Sequence, residues 1–214
     1  MINQIKTPVA IIPIKSLYKA KSRLISLLDD SLRETLVLNL LKHIINTTRE
    51  VISDVWVVGT DNLVEQVAKI HGAHWNLDRG NNINQSVRAH FELAWGLNMA
   101  PLYLPGDLPY LQRRDIQLLL DSSQNMRNTV LTPAQRSGGT NAILMPDQSE
   151  FRLQFGAGSF RKHVSEAATL FLPFSINYSL GLTLDLDTSS DLEDFEGLTP
   201  GITHRLTTED YFSV

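Results

Sequence analysis

Continuous apolar runs alternate along the chain with stretches of helical spacing. Val9 to Ile14 is uninterrupted apolar sequence, the pattern of a strand buried on both faces. From Ser31 the period changes: Leu32, Leu36, Leu40, Leu41, Ile44 and Ile45 fall on one helical face, and Ser31 with Glu34 reads as a capping box. The alternation then repeats. Asp54 to Gly59 predicts a strand, Asn62 to Ile70 a helix stopped by Gly72, Ala73 to Asn76 a short strand, and 83 to 95 a helix. Pro101 to Leu104 predicts a strand, Arg114 to Leu120 a helix, Val130 to Thr132 and Ala142 to Met145 strands, and Phe160 to Ala168 a helix. Two late strands, 172 to 176 and 182 to 186, precede a capped helix from Thr188. Parallel strands need a crossover between them, so this order predicts one α/β domain with a mostly parallel sheet flanked by helices. The domain is expected over residues 1–200, with 201–214 as a C-terminal tail that is either disordered or docked on a neighbour.

Composition narrows the function classes. The 214 residues are 43% hydrophobic and 20% charged, enough for an ordinary globular core. With no Cys, disulfides and thiolate zinc sites are excluded. A net charge of -4 argues against a general nucleic-acid binder, whose affinity comes from neutralising phosphates. The apolar run from Pro8 to Ile14, closed by Lys15, is too short for a signal or membrane segment, so a cytoplasmic protein is expected. The net charge also averages two poles. Residues 15 to 23 carry Lys15, Lys19, Lys21 and Arg23 and no acid, whereas 185 to 196 carry six acids and no cation.

In open α/β sheets ligands bind beyond the C-terminal ends of the strands, so polar residues just after strands are the candidates for chemistry. Three places qualify. Lys15, Lys19, Lys21 and Arg23 follow the first strand and could converge on a triphosphate, or form a solvated basic loop. Asp107 follows the strand ending at Leu104 and is held between Pro105 and Pro109; it suits a Mg²⁺ ligand, or is a turn aspartate. Asp185 and Asp187 share a side if strand geometry persists through them and could face one cation; alternatively Asp187 or Thr188 only caps the next helix.

Other signals are weaker. Gly156-Ala157-Gly158-Ser159 lacks the third glycine of a dinucleotide fingerprint, yet its amides, leading into a helix, can form an anion nest. No Walker A loop occurs, Gly72 breaks the spacing of His71 and His74 as a zinc pair, and no serine sits in a nucleophile elbow.

Taken together, Ile12-Pro13-Ile14-Lys15, Ala20-Lys21-Ser22-Arg23-Leu24, Gly106-Asp107-Leu108-Pro109 and Gly138-Gly139-Thr140-Asn141-Ala142 resemble motifs of the guanylyltransferases of coenzyme F420 biosynthesis. Phe155-Gly156-x-Gly158-Ser159-Phe160 and Asp185-Leu186-Asp187-Thr188 continue the resemblance in family order, to about residue 196. Two positions depart from the family pattern: Gly106 stands for a usual Ala, and Asn82-Ile83-Asn84-Gln85-Ser86 for Gly-Leu-Asn-x-Ala.

The resemblance implies a nucleotidyltransferase fold of the GT-A, Rossmann-like type. It also implies transfer of GMP from GTP to phosphoenolpyruvate, 2-phospho-L-lactate or 3-phospho-D-glycerate, with release of pyrophosphate. By the same resemblance Asp107, Asp185 and Asp187 would hold Mg²⁺, Thr140, Gly156 and Ser159 would bind the phosphoacid, and Lys15, Lys21, Arg23 and Asn84 would bind the nucleotide. Glycosyl transfer from a nucleotide sugar and non-catalytic sensing of a nucleotide or phosphoacid are the alternatives. A homodimer is compatible with the sequence; nucleic acid and membrane are not expected partners.

Overall fold

The computed structural model describes residues 6–14, 16–17, 21–208 and 210–213; Lys15 and Lys19 lie outside the described residues. A seven-stranded sheet forms the centre, built from β1 (Thr7–Pro13), β2 (Asp54–Gly59), β3 (His74–Leu77), β4 (Met99–Tyr103), β5 (Thr129–Pro133), β6 (Thr140–Leu144) and β7 (Phe174–Ile176). The strand order is β3-β2-β1-β4-β6-β5-β7. β1 pairs in parallel with β2 and β4, and β2 with β3. β6 runs against both β4 and β5, while β5 and β7 are parallel.

Successive residues of a strand point to opposite faces, and both faces here are apolar. Ala10, Ile12, Val55, Val57, Leu102 and Leu144 lie in one core with the inner faces of α1 (Asp30–Arg49), α2 (Asn62–Ile70) and α4 (Arg113–Ser122). Val9, Ile11, Trp56, Val58, Tyr103 and Ile143 lie in the other, against α3 (Ile83–Gly96) and α5 (Ser159–Thr169). Val9 to Ile12 are fully buried, and the side chains of Val9, Ile11 and Ile12 each stabilise the fold by about 1.5–3 kcal/mol.

Four expectations need correction. The cap of α1 is Asp29, whose carboxylate accepts from the Leu32 amide at 2.9 Å. The helix starts earlier than Ser31, so the Ser31/Glu34 capping box does not form. Residues 182 to 186 are not a strand. α6 (Leu180–Thr183) is a single helical turn, and the chain then runs out to Asp187 beside the sheet, with the Leu186 amide bonded to the Asp107 carbonyl at 2.9 Å. β3 is displaced one residue, and the strand expected at 172 to 176 shrinks to Phe174–Ile176.

α7 (Ser189–Leu198) is capped by Thr188 in a full capping box with Asp191. Past Gly201 the chain docks on itself. α8 (Ile202–Thr208) buries Ile202 and Leu206 against Leu36 and Leu40 of α1 and Phe195 of α7. Asn39 donates to the Leu206 carbonyl at 3.0 Å, and His71 Nε2 meets the Tyr211 carbonyl at 2.9 Å. No helix among the described residues is long and apolar enough to cross a membrane.

Candidate active site

The loops at the C-terminal ends of β1 and β4 carry Lys21 and Asp107. Because β6 is antiparallel, its first residues, Thr140 and Asn141, come to the same edge. The stretch 184–187, tied to Asp107 through Leu186, completes it. Lys21 bridges two of the sequence-predicted aspartates, Asp107 and Asp187, while the third, Asp185, pairs with Asn141.

The Lys21 ammonium donates to Asp107 Oδ2 at 2.6 Å, to Asp187 Oδ1 at 3.0 Å and to the Leu186 carbonyl. Its backbone is left-handed, with φ 50°, a conformation that costs a non-glycine residue roughly 1–2 kcal/mol and that the ion pairs offset. Burial pulls the Lys21 pKa down, but Asp107 and Asp187 together outweigh it and hold the ammonium above its ordinary range. Burial raises the Asp107 carboxyl; Lys21 opposes this and Asp187 adds to it. Asp185 is raised by burial and then by Asp107, and its Oδ1 accepts from Asn141 Nδ2 at 3.2 Å. One ammonium does not neutralise three carboxylates, so the cluster retains appetite for positive charge. Tyr103 at the end of β4 feels the same field: burial and then Asp107, Asp185 and Asp187 push its phenol far up.

Among the described residues no three His, Asp or Glu side chains are gathered closely enough to enclose a metal ion. The donor set nevertheless fits a hard divalent cation. Its atoms are carboxylate and carbonyl oxygens, Asp107 Oδ1 is buried without a hydrogen-bond partner, and a cation already sits between Asp107 and Asp187.

Three of the four remaining acids of the 185 to 196 segment, Asp191, Asp194 and Glu196, have structural work. Arg136 pairs with Asp191 at 2.8 Å and Asp194 at 2.6 Å. Asp191 accepts from the Asp187 and Thr188 amides, and Glu196 from the Gly201 and Thr203 amides. The acidic pole therefore reduces to Asp185 and Asp187 at the site. Arg23 is exposed on the 3₁₀ turn Ser22–Leu24 and makes no ion pair among the described residues.

Beside the acidic cluster lies a neutral patch. Thr140 and Asn141 are successive strand residues facing opposite ways, so Asn141 meets Asp185 while Thr140 Oγ1 lies 3.1 Å from Ser159 Oγ. Gly156 (φ 126°) and Gly158 (φ 65°) form the turn into α5, and at neither would a Cβ meet any atom within 4 Å, so the turn's outer side is open. Asn84 does not stand free at this edge: its Oδ1 accepts from the Phe155 amide at 2.7 Å, fixing the chain that leads into the turn. His163, one helical turn past Ser159, is fully buried and lies 2.8 Å from Thr140 Oγ1 through Nδ1. Sequence reasoning missed it, although its spacing from Ser159 puts both on one helix face.

A family model described as "guanylyl transferase CofC like" matches residues 8–198. The chain belongs to this CofC-like family. It is similar to the phosphoenolpyruvate guanylyltransferase of Chloroflexus aggregans, 33% identical over 193 residues that cover 86% of this chain and 94% of the relative. It is similar also to the 2-phospho-L-lactate guanylyltransferase of Methanobrevibacter smithii, 28% identical over 85% of this chain and 80% of the relative. Among solved structures, one from Desulfovibrio desulfuricans with the provisional description nucleotide-diphospho-sugar transferase superposes with a TM-score of 0.75 at 14% identity, covering 95% of this chain and 92% of the other. A CMP:2-keto-3-deoxy-manno-octonic acid synthetase complexed with CTP gives 0.57 at 16% identity, covering 90% and 98%. At these identities the two structures speak to the fold alone, and they agree with the single α/β nucleotidyltransferase domain expected from the CofC-like motifs.

Proposed function

We propose that this CofC-like chain is a GTP-dependent guanylyltransferase whose acceptor is a small phosphorylated three-carbon acid, acting in coenzyme F420 biosynthesis. A phosphate oxygen of the acid attacks the α-phosphorus of GTP, the bond to the α–β bridging oxygen breaks, and pyrophosphate leaves with that electron pair. The product is a diphosphate joining GMP to the acid. The observation that carries the reading is the contact between Asn141 and Asp185, with the Thr140–Ser159 pair on the next strand position. On this reading one dipeptide would set an anionic acceptor against a cation-bound triphosphate.

The residues suit this chemistry. A phosphomonoester has its second pKa at about 6, so the nucleophile is already ionised near neutrality and needs no general base. What the protein must supply is alignment and charge compensation as two anions approach. Thr140, Gly156 and Ser159 would hold the acid through hydroxyl and amide donors. Lys15, Lys21 and Arg23 would steady the triphosphate, and Asn84 would support the nucleotide side through the chain it fixes. Asp107, Asp185 and Asp187 would hold Mg²⁺, which when bound supplies Lewis-acid polarisation of the phosphates.

The names of the relatives support phosphoenolpyruvate and 2-phospho-L-lactate as acceptors, and 3-phospho-D-glycerate shares their carboxylate and phosphate. The reading includes a cytoplasmic location, with which the lack of a membrane-spanning helix among the described residues agrees. The test is pyrophosphate release by the purified protein with Mg²⁺, GTP and each acid in turn, repeated with ATP. Release that requires GTP and one acid is expected; consumption of a nucleotide sugar with no need for an acid, or GTP binding without turnover, would overturn the reading.

A further inference from the structure

Among the residues packed around the Thr140–Ser159 patch, His163 is the buried titratable group for which the proposed chemistry has no use. Its two ring nitrogens are both engaged. The Gln154 amide donates to Nε2 at 2.8 Å, and Nδ1 lies 2.8 Å from Thr140 Oγ1. A backbone N–H can only donate, so Nε2 is the acceptor nitrogen, and in a neutral imidazole the proton then belongs to Nδ1. The ring is kept neutral: burial, and after it the nearby Lys162, lower its pKa to about 4. Phe151 and Phe155 flank it, with ring centroids 5.6 and 5.2 Å away.

The consequence follows from counting hydrogens. Thr140 and Ser159 own two hydroxyl hydrogens, and one is spent between them at 3.1 Å. With Nδ1–H donating to Thr140, the second remains to be donated outward, whichever hydroxyl carries it. Were Nδ1 the acceptor instead, Thr140 would donate to it and Ser159 to Thr140. The pair would then turn only lone pairs outward, which repel an anion.

We propose that His163 is a positioning residue, held by the Gln154 backbone in the one tautomer that makes the Thr140–Ser159 hydroxyl pair a net hydrogen-bond donor to the anionic acceptor. This rests on the reading that the pair binds the phosphoacid. It assigns His163 a part in acceptor recognition without contact to substrate and without proton transfer.

The test is steady-state pyrophosphate release by wild type, His163→Gln, His163→Asn, Thr140→Val and the double variant His163→Gln/Thr140→Val, varying the acid at saturating GTP and the reverse. Gln can place an acceptor where Nε2 sits but nothing at Nδ1; Asn can place a donor where Nδ1 sits. His163→Gln is expected to raise KM for the acid about tenfold, the factor that corresponds to one hydrogen bond's ~1.4 kcal/mol, with KM for GTP unchanged. In Thr140→Val the Ser159 hydroxyl keeps its hydrogen for the acid and His163 has no hydroxyl to act through, so the double variant should be no worse than Thr140→Val alone, and His163→Asn should recover part of the His163→Gln loss.

An acid KM within about twofold of wild type in His163→Gln, equal rises in both KM values, or multiplying effects in the double variant would overturn the proposal. Should His163→Gln not fold, long-range ¹⁵N–¹H NMR of the wild type decides: a proton on Nδ1 is expected, and one on Nε2 overturns it. No turnover by wild type with any acid would refute the underlying reading, and this inference with it.

Discussion

Replacing Lys21 with Met keeps the stem, with sulfur in place of one methylene, and deletes its ammonium, leaving Asp107 and Asp187 facing each other. The Lys21 side chain is 10% exposed, Asp107 21% and Asp187 43%. Breaking a buried pair costs about 3–5 kcal/mol because a charge is stranded, whereas an exposed arm is worth about 0–1 kcal/mol. Asp107 belongs to the first class and Asp187 to the second, so the expected loss is about 3 kcal/mol, the low end of the buried range. At roughly 2–4 °C per kcal/mol for a chain of this length, Tm should fall by about 6–12 °C. Urea and thermal unfolding followed by circular dichroism in EDTA would measure it.

Mg²⁺ should then restore much of the loss in the variant, since a divalent cation can take the place the ammonium vacates. At a hundred times its Kd a ligand stabilises by about 2.7 kcal/mol. Wild type should gain less, because its ammonium competes for the same oxygens. Unaltered stability in EDTA would refute the ion pairs as described, and a variant that ignores Mg²⁺ would refute the cluster as a cation site.

His163 gives a pH prediction with a definite sign. Its folded pKa of about 4 lies below the ordinary 6.5, chiefly through burial, so the unfolded chain binds the extra proton first. Its contribution is complete above pH 6.5 and is lost as pH falls toward 4, at most about 3 kcal/mol at 1.36 kcal/mol per pH unit. His163→Asn should therefore flatten the acid limb of stability against pH; an identical limb would count against the buried neutral ring. Truncation after Gly201 removes Ile202 and Leu206, each almost fully buried, and should cost about 3–6 kcal/mol of unfolding free energy. An unchanged urea midpoint would show that the terminal helix is not docked.

Where local sequence decides local structure, the chain is legible. The continuous apolar run of β1 and the Thr188/Asp191 cap of α7 needed no distant partner. Asp29, Asp30 and Ser31 offer three adjacent caps, and short-range pattern cannot choose among them; Asp29 wins by bonding the Leu32 amide. Leu182, Leu184 and Leu186 alternate as a strand would, but Leu184 and Leu186 fill the core between α1, α7 and α8 rather than a sheet face. The direction of β6 depends on the β5–β6 hairpin, and strand patterning carries no sign of direction.

The site divides in the same way. Asp107 was visible because ligands gather beyond strand ends; Asp185 and Asp187 were visible as a closely spaced acidic pair, although the strand expected through them does not form. His163 was not, since its partners at Thr140 and Gln154 are 23 and 9 residues away. Nor could the acidic count at 185 to 196 reveal that Arg136, remote in sequence, takes Asp191 and Asp194.

On the proposed function, one edge of this sheet joins GMP to a phosphoacid. This is tested most directly by incubating the protein with α-labelled GTP, Mg²⁺ and phosphoenolpyruvate, 2-phospho-L-lactate or 3-phospho-D-glycerate, and following the label. Equal amounts of pyrophosphate and of a labelled diphosphate conjugate carrying one of the three acids are expected, both lost in Asp107→Asn. Pyrophosphate with free GMP, or a conjugate formed equally well by Asp107→Asn, would contradict it.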